Sequence, residues 1–346
     1  MPQILESILK ILFRRIRFFL IKKTFDNGLD MKKIFTSLMM LASATVSAQS
    51  YPAKPIHFVV GFPAGSSIDN ISRTVLDEIR TRTGATIIVE NKPGALGSIG
   101  ADAVAKSAPD GYTLMPSSSA TNSSGPHLMQ SLKKLDLDNN LTHIGRMVKF
   151  DIAVVTNAST FADAKSLIDR ARAKPGDLTY GYGSGTGQVA AAVFSAAAKI
   201  DVRGIPYKGQ PLAVTDLLGR QIDFVAADLG AILPQLNAKK LNAIAVMSDK
   251  RSELLPDVPT TRELGLANAQ LAGWIGVSAP SGLRSDAVKW WEEQLKTALQ
   301  SSEVRERIRN QGMEVDPLNG EAFKSFVGQQ YQLWGRYVTN ANIQSQ

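Results

Sequence analysis

Phe58-Val59-Val60-Gly61-Phe62-Pro63-Ala64-Gly65-Ser66-Ser67-Ile68-Asp69-Asn70 is an apolar, β-branched run that stops at a Pro/Gly turn and restarts with a different period. Ile68, Ile71, Val75 and Ile79 follow at helical spacing. The stretch reads as strand, turn, helix. Such a unit aims the free N–H groups of a helix start, and the positive end of its dipole, at whatever lies beyond the strand. A carboxylate or a phosphate suits that place.

Working outward, the same pattern returns. Leu178-Thr179-Tyr180 leads into Gly181-Tyr182-Gly183-Ser184-Gly185-Thr186-Gly187, and a helix is expected from Gln188 onward with Val189, Ala190, Val193 and Phe194 on its buried side. Between and around the two units, strand-like and helix-like runs alternate. Strands are expected over 56–60, 85–90, 113–115, 221–228 and 243–247, and helices over 69–82, 98–107, 162–173, 211–218 and 229–237. That alternation predicts an α/β fold with a mostly parallel sheet and helices on its faces. The apolar runs at 152–155 and 274–279 read as strands crossing between two domains, and residues 285–337 as helices whose aromatic side chains mostly face a core.

Composition narrows the function. The net charge is +8, but residues 1–48 hold eight Lys/Arg against three Asp/Glu, a net +5, and the remaining 31 and 28 leave only +3 for the body. A nucleic-acid binder wants a basic face on its folded domain, so no nucleic-acid partner is expected. Cysteine is absent, which excludes disulfides, thiolate metal sites, a cysteine nucleophile and a lipidated N-terminal cysteine. The three histidines, His57, His127 and His143, read as structural, and no metal or cofactor is expected. Met31-Lys32-Lys33, an apolar stretch to Val46 and then Val46-Ser47-Ala48 form a signal peptide over 31–48, with cleavage expected after Ala48. Residues 1–30 then form an upstream extension, read either as an interfacial amphipathic helix or, preferably, as sequence ahead of the true start at Met31.

The glycine-rich turns carry the chemistry. Gly65 lets the backbone approach a ligand closely, and Ser66 and Ser67 supply hydroxyls and N–H groups. Ser67 or Asp69 could equally be an N-cap, and Asp69 also has Arg73 as an i,i+4 partner. Gly183-Ser184-Gly185-Thr186-Gly187 fits a nest of N–H groups around an anion. It is not a dinucleotide fingerprint, since Gln188 stands where glycine or alanine is needed, and Gly209-Gln210 does not complete a phosphate-binding loop. The polar stretch Ser117 to Pro126 follows a strand end, where open α/β sheets bind ligands, but it also suits a solvated loop. No G-x-S-x-G elbow, H-E-x-x-H or acid/base pair stands out, which favours binding over catalysis.

Gly61-Phe62-Pro63-Ala64-Gly65-Ser66-Ser67-Ile68-Asp69, Glu90-Asn91-Lys92-Pro93-Gly94-Ala95, Ala108-Pro109-Asp110-Gly111-Tyr112, Pro206-Tyr207-Lys208-Gly209, Asp216-Leu217-Leu218-Gly219 and Leu255-Pro256-Asp257-Val258-Pro259-Thr260 together resemble the tripartite tricarboxylate transporter substrate-binding proteins, the Bug receptors. The resemblance runs in order from about Tyr51 to the last helix. It implies a periplasmic binding protein of the Venus flytrap type: lobe 1 over 51–151 plus 276–346, lobe 2 over 152–275, crossing strands between them, and a small carboxylate held in the cleft by backbone groups and hydroxyls. It carries ligand contacts onto Phe62, Ala64, Gly65, Ser66, Ser67 and Asp69, onto Ser118, Ser119 and Thr121 beyond the third strand, and onto Ser184, Gly185, Thr186, Gly187 and Asp228 in lobe 2.

The implied function is a periplasmic receptor, a monomer and not an enzyme, that delivers a small organic acid to the permease subunits of a tripartite transporter. The alternatives are the same receptor presenting its closed face to a sensor protein, and an exported enzyme acting on a small acid. The chain departs from the family's usual pattern at Ser66 (usually Gly), at Ile68 (usually Thr) and at Gln188 (often His). Restoring Gly at 66 and Thr at 68 is expected to change which acids bind.

Overall fold

The computed structural model describes residues 51–345; the expected signal peptide, its expected cleavage site and the upstream extension lie outside them. The opening run forms β1 (Ile56–Val60) and α1 (Ser67–Thr83), and Gly84 closes the helix in the left-handed conformation with its N–H on the Arg80 carbonyl. Ile71, Val75 and Ile79 are fully buried under α1. Each such side chain contributes about 1.5–3 kcal/mol. β2 (Ile87–Asn91), α2 (Ser98–Ala105) and β3 (Thr113–Ser118) complete the first unit, with β1 parallel to both β2 and β3.

A π-helix (Ser119–Ser124) and three short helices, α3 (Gly125–Leu128), α4 (Gln130–Leu135) and α5 (Leu137–Asn140), lead into β4 (Leu141–Asn157). The second α/β unit comprises α6 (Ala164–Ala173), β5 (Thr179–Tyr182), α7 (Gly185–Ala198), β6 (Arg203–Pro206), α8 (Gln210–Leu218), β7 (Phe224–Asp228), α9 (Leu229–Asn237) and β8 (Leu241–Val246). The chain returns through β9 (Ala272–Pro280) to α10 (Ser285–Gln300), α11 (Ser302–Asn310), β10 (Glu314–Asn319) and α12 (Gly320–Asn340).

The ten strands of the described residues join in one sheet, ordered β2-β1-β3-β9-β4-β7-β5-β6, with β8 and β10 also on β4. The expected α/β fold holds, with parallel pairing inside each unit and antiparallel pairing where the crossing strands join them. Pairing is parallel within β2-β1-β3 and β7-β5-β6, but β4 pairs antiparallel with β7, β8, β9 and β10, and β3 with β9. The reason is topological. β4 leaves the first lobe and β9 returns to it, so the two must run in opposite directions, and every strand seated on them takes its direction from that traffic. The crossing strand is also longer than the 152–155 run suggests. Residues up to Asp151 face β9, and from Ile152 onward β4 faces β7.

Of the two readings of the polar stretch, the solvated loop does not hold. Every residue from Ser117 to Pro126 is buried. α12 packs over it, with the His127 ring nitrogen Nε2 2.9 Å from the Tyr331 carbonyl. The backbone winds into the wide π-helical turn, and Ser118 caps it by accepting from the Thr121 N–H.

Candidate functional site

A cavity of about 380 Å³ lies between the two halves of the sheet. Five helix starts contribute to its wall: Ser66, Ser67 and Ile68 of α1; Ser118, Ser119 and Ala120 of the π-helix; Ser184, Thr186 and Gly187 of α7; Gln210 and Pro211 of α8; Asp228, Gly230 and Ala231 of α9. Phe62 and Gly65 line it as well. Of the residues singled out from the sequence, Ala64, Asp69, Thr121 and Gly185 stand outside the lining. Each has another place.

Asp69 is turned back into its own loop. Its carboxylate accepts from the Gly65 N–H at 2.9 Å, from Asn91 Nδ2 at 2.9 Å and from Arg73 Nε at 3.0 Å to each oxygen. Burial by itself would raise its pKa, but these donors outweigh it and hold the group below the usual range. Asn91 also donates to the Phe62 carbonyl at 3.0 Å, so one half-buried cluster fixes both ends of the first turn. Ser66 is the N-cap residue of α1, yet its hydroxyl donates to the Pro63 carbonyl at 2.7 Å and bonds no helix N–H. Ile68 belongs both to the core and to the cavity wall.

The second turn is built by close approach. A Cβ on Gly183 would stand 2.0 Å from the Gly209 carbonyl carbon, and one on Gly185 would stand 2.6 Å from Ser124 Oγ. Ser184 caps α7 by accepting from the Gly187 N–H at 3.1 Å. Thr186 Oγ1 and Ser119 Oγ lie 3.1 Å apart, joining the two turns. Thr121 lies behind Ser118, donating to Asn122 Oδ1 at 2.7 Å. Gln188 is buried without lining the cavity.

Asp228 caps α9, accepting from the Ala231 N–H at 3.0 Å, and it also accepts from Ser67 Oγ at 2.5 Å. Both bonds fall on Oδ1. The residue keeps partial surface where it lines the cavity, but it lies deep in protein, and desolvation pushes its pKa up against the pull of those hydrogen bonds. Among the described residues, Asp228 is the one ionisable side chain on the cavity wall. The three histidines lie elsewhere: His57 pairs with Glu90 at 2.6 Å, His127 contacts Tyr331, and His143 is buried against Ser278. No group of three or more His, Cys, Asp or Glu suited to a metal occurs among the described residues.

Sequence reasoning missed Gln210, Phe150 and Ile152, all on the wall. Gln210 Oε1 accepts from the Gly183 N–H at 3.2 Å, while its Nε2 has no partner. The clue was a third glycine-then-helix start at Gly209-Gln210. Phe150 and Ile152 sit on β4, where burial on both faces erases the alternation that would single out a wall residue. A smaller cavity of about 260 Å³ adjoins the first, shares Phe62 and Gly183 with it, and carries Lys208 and the Gly94–Gly97 turn.

These features can be set against known proteins. Protein BugT of Bordetella pertussis (strain Tohama I) is 33% identical over 300 residues, covering 86% of this chain and 92% of BugT. The structure of the periplasmic binding protein BugD superposes with a TM-score of 0.79 at 29% identity, over 86% of this chain and 100% of BugD. That of MatC from Rhodopseudomonas palustris with bound malate superposes with a TM-score of 0.77 at 25% identity, over 83% and 100%. The family model described as the tripartite tricarboxylate transporter family receptor matches residues 71–343, and the chain belongs to that family of solute-binding receptors.

Proposed function

We propose that this protein is a periplasmic receptor that closes on a small organic acid and delivers it to the permease subunits of a tripartite transporter. The lobes are taken as 51–151 with 276–346, and 152–275, so that β4 and β9 act as the hinge strands. The observation that carries the reading is the cavity wall, where helix starts from both lobes meet without a cationic side chain. Each helix start stabilises an anion by about 0.3–1 kcal/mol when exposed and up to ~2 kcal/mol when partly buried. Lobe closure excludes water and strengthens every such contact. Ser67, Ser119, Ser184 and Thr186 supply hydroxyls, and Gly65 and Gly187 supply backbone approach. Ala64, Asp69, Thr121 and Gly185 shape the turns from behind the wall. The malate held by MatC supports a small acid as the ligand.

A thermal-shift screen of organic acids tests the reading. An acid at ~100 times its dissociation constant adds about 2.7 kcal/mol of stability. A folded protein that no acid stabilises would overturn it.

A further inference from the structure

The cavity combines two features that a plain anion site does not need. Among the described residues its one ionisable wall residue is an acid, Asp228, and no Lys, Arg or His lines it to offset that charge. Lys208 lies in the adjoining cavity, beyond Phe62 and Gly183, which line both. A ligand with two carboxylates would have to bring its second charge into a space whose only fixed charge has the same sign. The hydrogen bonds on Asp228 also fit its ionised form. Ser67 Oγ and the Ala231 N–H both donate to Oδ1, as they would to a carboxylate.

On the same wall, Gln210 is 8% exposed, and its Nε2 is a buried donor without a partner. Its Oε1 is already taken by the Gly183 N–H, which fixes the amide with the NH₂ as its free end. A buried amide donor left unpaired is costly, and an acceptor on a bound ligand would remove that cost. The wall thus offers a spare donor and a carboxylate, close to helix starts that favour negative charge.

We propose that the acid bound here is a zwitterion, with one carboxylate held by the helix starts and the Gln210 amide and an ammonium group set against Asp228. This rests on the receptor reading above and sharpens it to a ligand class: small amino acids rather than dicarboxylates. Burial raises the Asp228 pKa, and a bound ammonium would supply the counter-charge that the protein withholds.

The test is calorimetric titration of the folded protein with matched pairs that differ only in the amine: alanine against propionate, valine against isovalerate, phenylalanine against 3-phenylpropionate. Succinate, malate and adipate serve as dicarboxylates. At least one amino acid should bind tenfold or more tightly than its deaminated partner and than every dicarboxylate. Asp228→Asn, which keeps an acceptor for Ser67 and Ala231, should abolish that preference. Gln210→Leu should weaken the amino acid and its deaminated partner alike. Tightest binding of a dicarboxylate or a deaminated acid by the wild-type protein would overturn the zwitterion and leave the acid receptor standing. Absence of binding by any of these compounds would overturn both. The wild-type pairs decide the matter even if a variant does not fold.

Discussion

Ser67 Oγ donates to Asp228 Oδ1 over 2.5 Å, joining the first residue of α1 to the cap of α9 across 161 residues of sequence. The same carboxylate oxygen therefore caps α9 and touches the start of α1. Removing the hydroxyl separates these roles. Ser67→Ala should cost about 1.5–3 kcal/mol, the range for a hydrogen bond to a charged group. The loss should appear as a lower urea midpoint, with a larger radius of gyration in small-angle scattering as the lobes part.

Two aspartates at helix starts should respond to pH with opposite signs. The Asp69 pKa is depressed in the folded protein, because donation from Arg73, Asn91 and Gly65 outweighs burial. Its stabilisation is therefore complete above the ordinary carboxylate range and is lost as pH falls through the lowered value. The Asp228 pKa is raised by desolvation. Its folded state is penalised at neutral pH, and the penalty disappears as pH falls below the unfolded value of about 3.9. Urea midpoints against pH should show Asp69→Asn losing the acid-side fall. Asp228→Asn should be more stable than wild type at pH 7 but not at pH 3.

Two glycines mark close approaches, of α7 to the π-helix and of α9 to the end of α11. A Cβ on Gly185 would meet Ser124 Oγ at 2.6 Å, and one on Gly230 would meet the Gln311 carbonyl oxygen at 2.6 Å. Alanine at either position should wedge the cleft open. Gly230→Ala should have the larger effect, because its obstacle is backbone. Acid affinity should fall tenfold or more, about 1.4 kcal/mol, with a larger radius of gyration. Gly65 is the contrast. Its φ is +79° and nothing lies within 4 Å of a Cβ there, so Gly65→Ala should cost only the strain of the left-handed backbone, about 1–2 kcal/mol.

Asn91 lies outside the cavity lining but holds its edge. It donates to Asp69 Oδ1 and to the Phe62 carbonyl, and Arg73 donates to its Oδ1 at 3.0 Å. Asn91→Ala should destabilise by about 1–3 kcal/mol, because the buried Asp69 carboxylate and Phe62 carbonyl each lose a donor. It should also weaken acid binding, because the first turn loses its tie. An unchanged affinity in isothermal titration would show that Gly61 to Ser66 hold their shape without it.

The two glycine-rich turns were legible because each depends on neighbours in the chain. An apolar run, then glycine, then helical spacing needs nothing distant to be recognised, and β1 with α1 and β5 with α7 follow it closely. The polar stretch from Ser117 to Pro126 was not legible in the same way. Serine and threonine read as solvated until α12, two hundred residues later in the chain, covers them. Ile68 shows the same gap, since helical spacing assigns it to the core but not also to the cavity wall.

Local sequence thus determined the strand–turn–helix units, the absence of cysteine chemistry and, through family resemblance, the receptor class. Only the tertiary structure decided the direction of the strands around β4 and β9 and the partition of the two aspartates. Asp69 and Asp228 both follow a strand and stand at a helix start. One is turned inward because Gly65, Asn91 and Arg73 supply enough donors to hold a buried charge. The other lines the cavity, where among the described residues the Ser67 hydroxyl is the one side chain that donates to it and no cation stands beside it. Such a difference lies in what surrounds a carboxylate, and most of those surroundings are brought together by folding from remote parts of the chain.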